Sequence, residues 1–270
     1  QRGMVLNNIG IVHKHRMEYS EALAAYKEVY TVFETIGEKN FMAFSLGNMG
    51  ITQRTLGQYQ EALTSMELAK SLFEEVKNVV GVGMAALQIG AVFTEIDELE
   101  FARQNISLAL QTAEKAGFKP LIMDSLLPQA LLEQKAGDPK AGLAMAERAL
   151  VAAREAKDRV KEMMALSIKA DLHRDLRDMD AALVCSNQAV ALADPKAKVE
   201  GVERVWLNHH RILKANFDPA AVEALEKARS IVKSIAASLG DEDRERFQAT
   251  KLNQEILAGA PRASRPPGAV

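Results

Sequence analysis

The chain has 270 residues, 48% of them hydrophobic, with 34 Lys and Arg against 36 Asp and Glu and a net charge of -2. That balance gives no electrostatic case for nucleic acid or an anionic membrane surface as partner, and no apolar run approaches the roughly 20 residues of a membrane helix. A single cysteine, Cys185, excludes an internal disulfide and fits a reducing compartment, so the expected location is cytoplasmic.

The chain opens at Gln1, and Leu6 already lies inside a periodic segment, which reads as a piece cut from a longer polypeptide. Leu6, Ile9 and Gly10 mark a first helix, and Tyr19, Ala22, Leu23, Tyr26 and Val29 a second. The next stretch is clearer. A helix is predicted over Asn40 to Thr55, with Phe44, Met49 and Ile51 among its apolar residues. Gly57-Gln58 then makes a turn, since glycine tolerates the positive φ that ends a helix. A second helix is predicted over Tyr59 to Val76, with Leu63, Met66, Ala69, Leu72 and Phe73 at helical spacing. The turn recurs as Asp97-Glu98, Gly137-Asp138, Arg177-Asp178 and Phe217-Asp218, and short polar hinges such as Gly37 to Asn40 divide one helix pair from the next.

These marks return every 40 residues: Gly10, Gly50 and Gly90, continued by Ala130 and Ala170; Ala22, Ala62, Ala102, Gly142 and Ala182; Leu6, Leu46, Ala86, Leu126, Leu166 and Trp206. A fixed period of this size means a stacked repeat array. The small residues sit where the two helices of a pair must cross closely. The sixth period departs, with His210 at the small position and its alanines one early at Ala221 and Ala228. Asp241 to Leu257 reads as a helix capping the array, because an end repeat needs an atypical outer face. Gly259 to Val270, with Pro261, Pro266 and Pro267, reads as a disordered tail or linker. The expected architecture is all-α: a right-handed superhelical α-solenoid of about six helix-turn-helix repeats over 1–240, a capping helix over 241–258, and the tail over 259–270.

Leu6-x-x-Ile9-Gly10 followed by Tyr19-x-x-Ala22-Leu23, and Leu46-x-x-Met49-Gly50 followed by Gly57-x-Tyr59-x-x-Ala62-Leu63, resemble the tetratricopeptide pattern. The resemblance covers roughly Gly3 to Leu239, strongest in the first three repeats. The minimal tetratricopeptide period is about 34 residues; the longer period here is similar to that of kinesin light chains, the Leu-Gly-Asn repeat protein of spindle orientation, and many bacterial signalling proteins. It implies that the first helix of each repeat lines a concave face.

No constellation for catalysis is legible. His13 and His15 are two apart, about 200° round a helix, so they cannot share a metal; His209 and His210 diverge likewise, and His173 lies four periods from His13. Cys185, among Ala182, Leu183 and Ala189, reads as a buried inert thiol. Neither a phosphate-binding glycine loop nor a dinucleotide fingerprint occurs, and no metal or cofactor is expected. The first-helix register is more informative. Asn8, Asn48, Gln88 and Asn208 stand two residues before the small position, hence away from the helix crossing and toward the groove. An amide offers a donor and an acceptor, so a ladder of them can pair with an extended peptide backbone; the resemblance to the kinesin light chain and spindle-orientation families implies the same use. Lys14, Arg54, Arg174 and Lys214 form a second row, placed to meet carboxylates of a ligand. The amide row lapses at Pro128 and Ile168, and the basic row at Thr94 and Gln134.

The functional expectation is a non-enzymatic module that binds a protein or peptide segment in its concave groove, within a larger signalling or regulatory protein. Two alternatives stand beside it: a bacterial-type sensor that changes superhelical pitch on binding a signalling peptide or small ligand, and the non-catalytic portion of a multidomain enzyme. Partner identity and oligomeric state are not legible in the sequence.

Overall fold

The computed structural model describes residues 2–193 and 201–258, of which 86% are helical, with no strand among them. The expected tail over 259–270 lies outside the described residues. Twelve helices form six pairs: α1 (Arg2–His15) with α2 (Tyr19–Ile36), α3 (Lys39–Thr55) with α4 (Tyr59–Glu75), α5 (Val79–Glu95) with α6 (Leu99–Ala116), α7 (Lys119–Lys135) with α8 (Pro139–Glu155), α9 (Arg159–Asp175) with α10 (Met179–Leu192), and α11 (Val202–Ala215) with α12 (Ala221–Ala237). Two short helices follow, α13 (Asp241–Ala249) and α14 (Lys251–Ala258). The protein is an all-α solenoid.

The turn chemistry repeats as strictly as the side chains. Within the pairs the second residue after the first helix is left-handed every time, at Met17, Gly57, Asp97, Gly137, Arg177 and Phe217, with φ between 57° and 86°. The chain is then closed by two backbone bonds: Gly57 N–H donates to Arg54 O at 3.0 Å and Gln58 N–H to Gln53 O at 2.9 Å. Four of the between-pair hinges carry a left-handed residue too, at Gly37, Lys77, Gly117 and Lys157. The within-pair reversals fall 40 residues apart from Met17 to Phe217, which holds the repeats in register.

The small positions let the helices of a pair touch. A Cβ built on Gly50 would stand 2.6 Å from Met66 Cγ and 3.2 Å from the backbone oxygen of Ala62, and one on Gly90 2.7 Å from Ile106 Cγ1. In the fourth repeat the glycine changes sides: Ala130 stands on the first helix, and the partner becomes Gly142, whose added Cβ would meet Ala130 O at 2.8 Å. Ala62 is fully buried. Ala62→Leu should therefore overpack this crossing and lower unfolding free energy by about 1–3 kcal/mol. Urea unfolding of the two proteins measures it, and an unchanged midpoint would remove this account of the small positions.

Stacking places the first helices innermost. α3 touches α5, α5 touches α7, α7 touches α9 and α9 touches α11, whereas the second helices of successive repeats make no contact of that extent. The second helices are therefore splayed, and the odd-numbered helices line the concave side.

The segment after the repeats differs from the single expected helix. It breaks at Thr250, which is extended at φ -59° and ψ 144°, so that Phe247 of α13 and Ile256 of α14 both turn inward and are buried, while Ala249 is exposed. Both helices pack on α12, but their apolar side also belongs to one core with Met17, Tyr19 and Leu56 of the first two repeats.

Candidate binding groove

The concave side carries a cavity of about 80 Å³ between the second, third and fourth repeats. Phe44, Gly47, Asn48 and Ile51 come from α3, Met84, Leu87 and Gln88 from α5, and Leu121 and Asp124 from α7, with Met66 and Phe73 of α4 behind them. The lining is apolar, with the two amides and the Asp124 carboxylate as its polar groups. Asp124 is held by Lys161 at 2.6 Å. One water needs roughly 10–15 Å³ of such volume, so the cavity has room for a branched aliphatic side chain.

Gly47 is the unexpected member. The other helix-interior glycines have a packing reason: a Cβ on Gly3, Gly10, Gly50, Gly81, Gly83, Gly90 or Gly142 would approach a neighbouring atom within 3.0 Å. A Cβ on Gly47 would meet nothing within 4 Å. Glycine in a helix interior costs about 0.5–1 kcal/mol relative to alanine. Here no crossing requires it, and its one structural consequence is an open mouth over the cavity.

The expected amide row divides. Asn8 is exposed on α1 and Gln88 half-buried at the cavity. Asn48 lines the cavity but donates one N–H to Asn7 Oδ1 at 3.0 Å. Asn208 is only 4% exposed; its Nδ2 donates to Ser167 Oγ at 3.1 Å and its Oδ1 accepts from Arg211 at 3.0 Å. The basic row divides too. Arg54 is paired with Glu95 of the next repeat, and Arg174 with Asp171 at 2.7 Å and Asp175 at 2.8 Å. Lys14 is half-buried and Lys214 exposed.

A rule connects these ties. Asn7 with Asn48, Arg54 with Glu95, Thr94 with Lys135, Gln134 with Asp175, and Ser167 with Asn208 are each 41 residues apart. Neighbouring first helices are joined along the groove by polar side chains offset one residue from the period. A column read at the period compares equivalent residues and misses the partner; the signal was a complementary residue one place beyond. At the fifth and sixth repeats this ladder encloses Asp171, 7% exposed, whose carboxyl is raised above its ordinary range by burial despite Arg174 and Arg211. Burial, and then the Glu95 carboxylate, likewise raise the Tyr59 phenol.

The histidines are dispersed. His13 Nδ1 lies 2.8 Å from Glu18 and His173 Nδ1 3.3 Å from Asp178, at the same turn in two repeats. His210 Nδ1 donates to Ala221 O at 2.8 Å, and His209 is buried beside Ser186 Oγ. Cys185 is buried and its thiol raised by that burial. Among the described residues no three His, Cys, Asp or Glu side chains converge to hold a metal, and no helix is long and apolar enough to cross a membrane.

The model of the family described as Tetratricopeptide repeat matches residues 1–75. No curated protein matches the chain. Among solved structures, the Rap conjugation gene regulator of the plasmid pLS20 in complex with the Phr* peptide is similar at a TM-score of 0.69 and 13% identity, over 95% of this chain and 75% of that one. NprR in complex with its cognate peptide NprX is similar at 0.63 and 15%, over 94% and 72%. The nearly identical repeats of a putative kinesin light chain from Podosopora anserina match at 0.52 and 12%, over 71% and 95%. At these identities the likeness is one of fold.

Proposed function

We propose that the chain, whose residues 1–75 match the tetratricopeptide-repeat family, is an interaction module holding an extended peptide or partner segment on its concave face, with one apolar ligand side chain seated in the cavity beside Gly47. The observation that carries this reading is Gly47 itself: a helix-weakening residue, with no neighbour to accommodate, at the mouth of an apolar cavity. Gln88, the remaining hydrogen-bonding capacity of Asn48, and Asn8 further along the face provide donors and acceptors for a peptide backbone. Lys14 and Lys214, on the first and sixth repeats, mark the ends of the face where ligand carboxylates would be met. Arg54 acts mainly in holding the second and third repeats together, and Arg174 is engaged with Asp171 and Asp175 of its own helix. The fold is shared with two solved proteins whose structures contain bound peptides, which supports peptide binding as a use of this fold.

The module works by binding, within a signalling or regulatory protein, rather than by catalysis. Several ion pairs join neighbouring repeats, as Arg54 with Glu95 and Arg103 with Glu133, and the cavity has an apolar lining.

Gly47→Leu tests the reading, because it separates folding from binding. A leucine at this open helical position should keep or raise the melting midpoint, by helix propensity worth about 0.5–1 kcal/mol, while filling the cavity mouth. Peptides selected on the parent chain from a random library should lose at least about tenfold in affinity, or 1.4 kcal/mol. Undiminished binding by a well-folded Gly47→Leu variant would refute the site.

A further inference from the structure

We infer that α13 and α14 are a clasp that fixes how far the repeats spread, and that the clasp opens on its N-terminal side. In a repeat array each unit contacts its neighbours in sequence. Here that rule fails at one place. The Asp243 carboxylate accepts from Gln58 Nε2 at 2.6 Å, Arg246 pairs with Glu61 at 2.6 Å, and Lys251 pairs with Asp97. The segment following the sixth repeat thus reaches the second and third repeats at their within-pair turns, and Phe247 shares a core with Met17, Tyr19 and Leu56 of the first two. Gly57 is shaped for this approach: a Cβ on it would stand 2.7 Å from Arg246 O and 2.9 Å from Thr250 Cγ2.

The two sides of the clasp are built differently. On the sixth repeat, Arg244 donates to Ala236 O at 3.0 Å and to Leu239 O at 2.7 Å, Arg229 donates to Ile256 O at 2.9 Å, Arg211 pairs with Glu255, and Ile256 is fully buried. Those bonds satisfy backbone carbonyls and would leave them unpaired on release. On the N-terminal side Gln58 and Asp243 are half-buried, the ion pairs join exposed side chains, with Arg246 at 39% and Lys251 at 66%, and the apolar part of the tie is the core that Phe247 shares with the first two repeats. Exposed pairs are weak and screened by salt, and water replaces them on opening. A solenoid tied at both ends cannot change its groove width unless one tie yields, so this side governs entry and exit at the concave face. That last step rests on the peptide-groove reading; the clasp does not.

The test uses the whole chain without ligand first. Arg246→Ala with Lys251→Ala should give a larger radius of gyration by small-angle scattering than the parent. The amides of Gly57 to Glu61 should lose about tenfold in hydrogen-exchange protection, and high salt should move the parent the same way. A second variant, Gln58→Cys with Asp243→Cys joined by a short bismaleimide, should hold the small radius at every salt concentration and slow association of library-selected peptides. Identical radii and identical turn protection in the parent and the alanine pair, at low and high salt, would overturn the clasp. So would an unlocked association rate in the cross-linked protein that does bind peptide. Failure of every peptide to bind the parent would count against the groove reading, and the scattering would still decide the clasp.

Discussion

Phe247→Ala should destabilise the protein by about 3–5 kcal/mol, the range for emptying a buried aromatic site. Phe247 is 4% exposed and belongs to one apolar core that holds residues far apart in sequence, Met17, Tyr19 and Leu56 together with Ile235, Ala236 and Leu239. Its loss should show in the shape of the transition as well as its position. Nearest-neighbour contacts alone would leave the N-terminal repeats to unfold by themselves. The parent should therefore unfold in a more cooperative step than the variant, whose urea transition should broaden or divide. A loss under about 1 kcal/mol with an unchanged slope would mean that Phe247 only decorates the sixth repeat.

Gly57→Val carries the other large effect, and Gly137→Val is its internal control. Both glycines occupy the same turn, with φ of 77° and 86°. A residue with a Cβ pays about 1–2 kcal/mol in the left-handed region, so both variants lose that amount. A Cβ on Gly137 meets nothing within 4 Å, whereas one on Gly57 runs into Arg246 O. Backbone oxygen cannot swing aside as a side chain can. Gly57→Val should therefore lose more than Gly137→Val, and the excess should vanish in a chain that also carries the clasp-opening pair Arg246→Ala and Lys251→Ala. Thermal unfolding of the parent and the clasp-opened chain, each alone and with either glycine variant, gives the comparison. Equal losses at the two glycines would show that the segment after the repeats does not press on the second turn.

The repeat architecture was legible because period and turn chemistry agree at every level: Gly50 against Met66 and Ala62, the left-handed residue at each turn, and the inward first helices all follow from one spacing. The change of sides at Ala130 and Gly142 shows why the pattern survives a lapse in either column, since a crossing needs one small partner and not a particular one. The groove was legible as a face and less so as a set of residues. Asn208 looked equivalent to Asn48 in register, yet it is buried against Ser167, because a side chain's partner sits on the neighbouring helix and the period does not report it. Arg54 was read as ligand-facing for the same reason, and Arg174 because its partners Asp171 and Asp175 stand on its own helix, three residues before it and one after. Gly47 carried no periodic mark, being followed at its register by Leu87 and Leu127, so only the empty space around it gives it meaning. The clasp could not be read at all. Gln58 and Asp243, or Arg246 and Glu61, are pairs of common polar residues whose meeting depends on the curvature accumulated over several repeats.

The groove assignment is tested most directly by the methionine methyl resonances, since Met84 and Met66 line the cavity while Met145 lies on the second helix of the fourth repeat, outside it. A library-selected peptide is titrated into the protein carrying labelled methionine methyls. The account predicts that Met84 and Met66 shift in step with binding and that Met145 stays in place. A saturating peptide that moves Met145 and leaves Met84 and Met66 untouched would contradict it and put the interaction surface on the second helices.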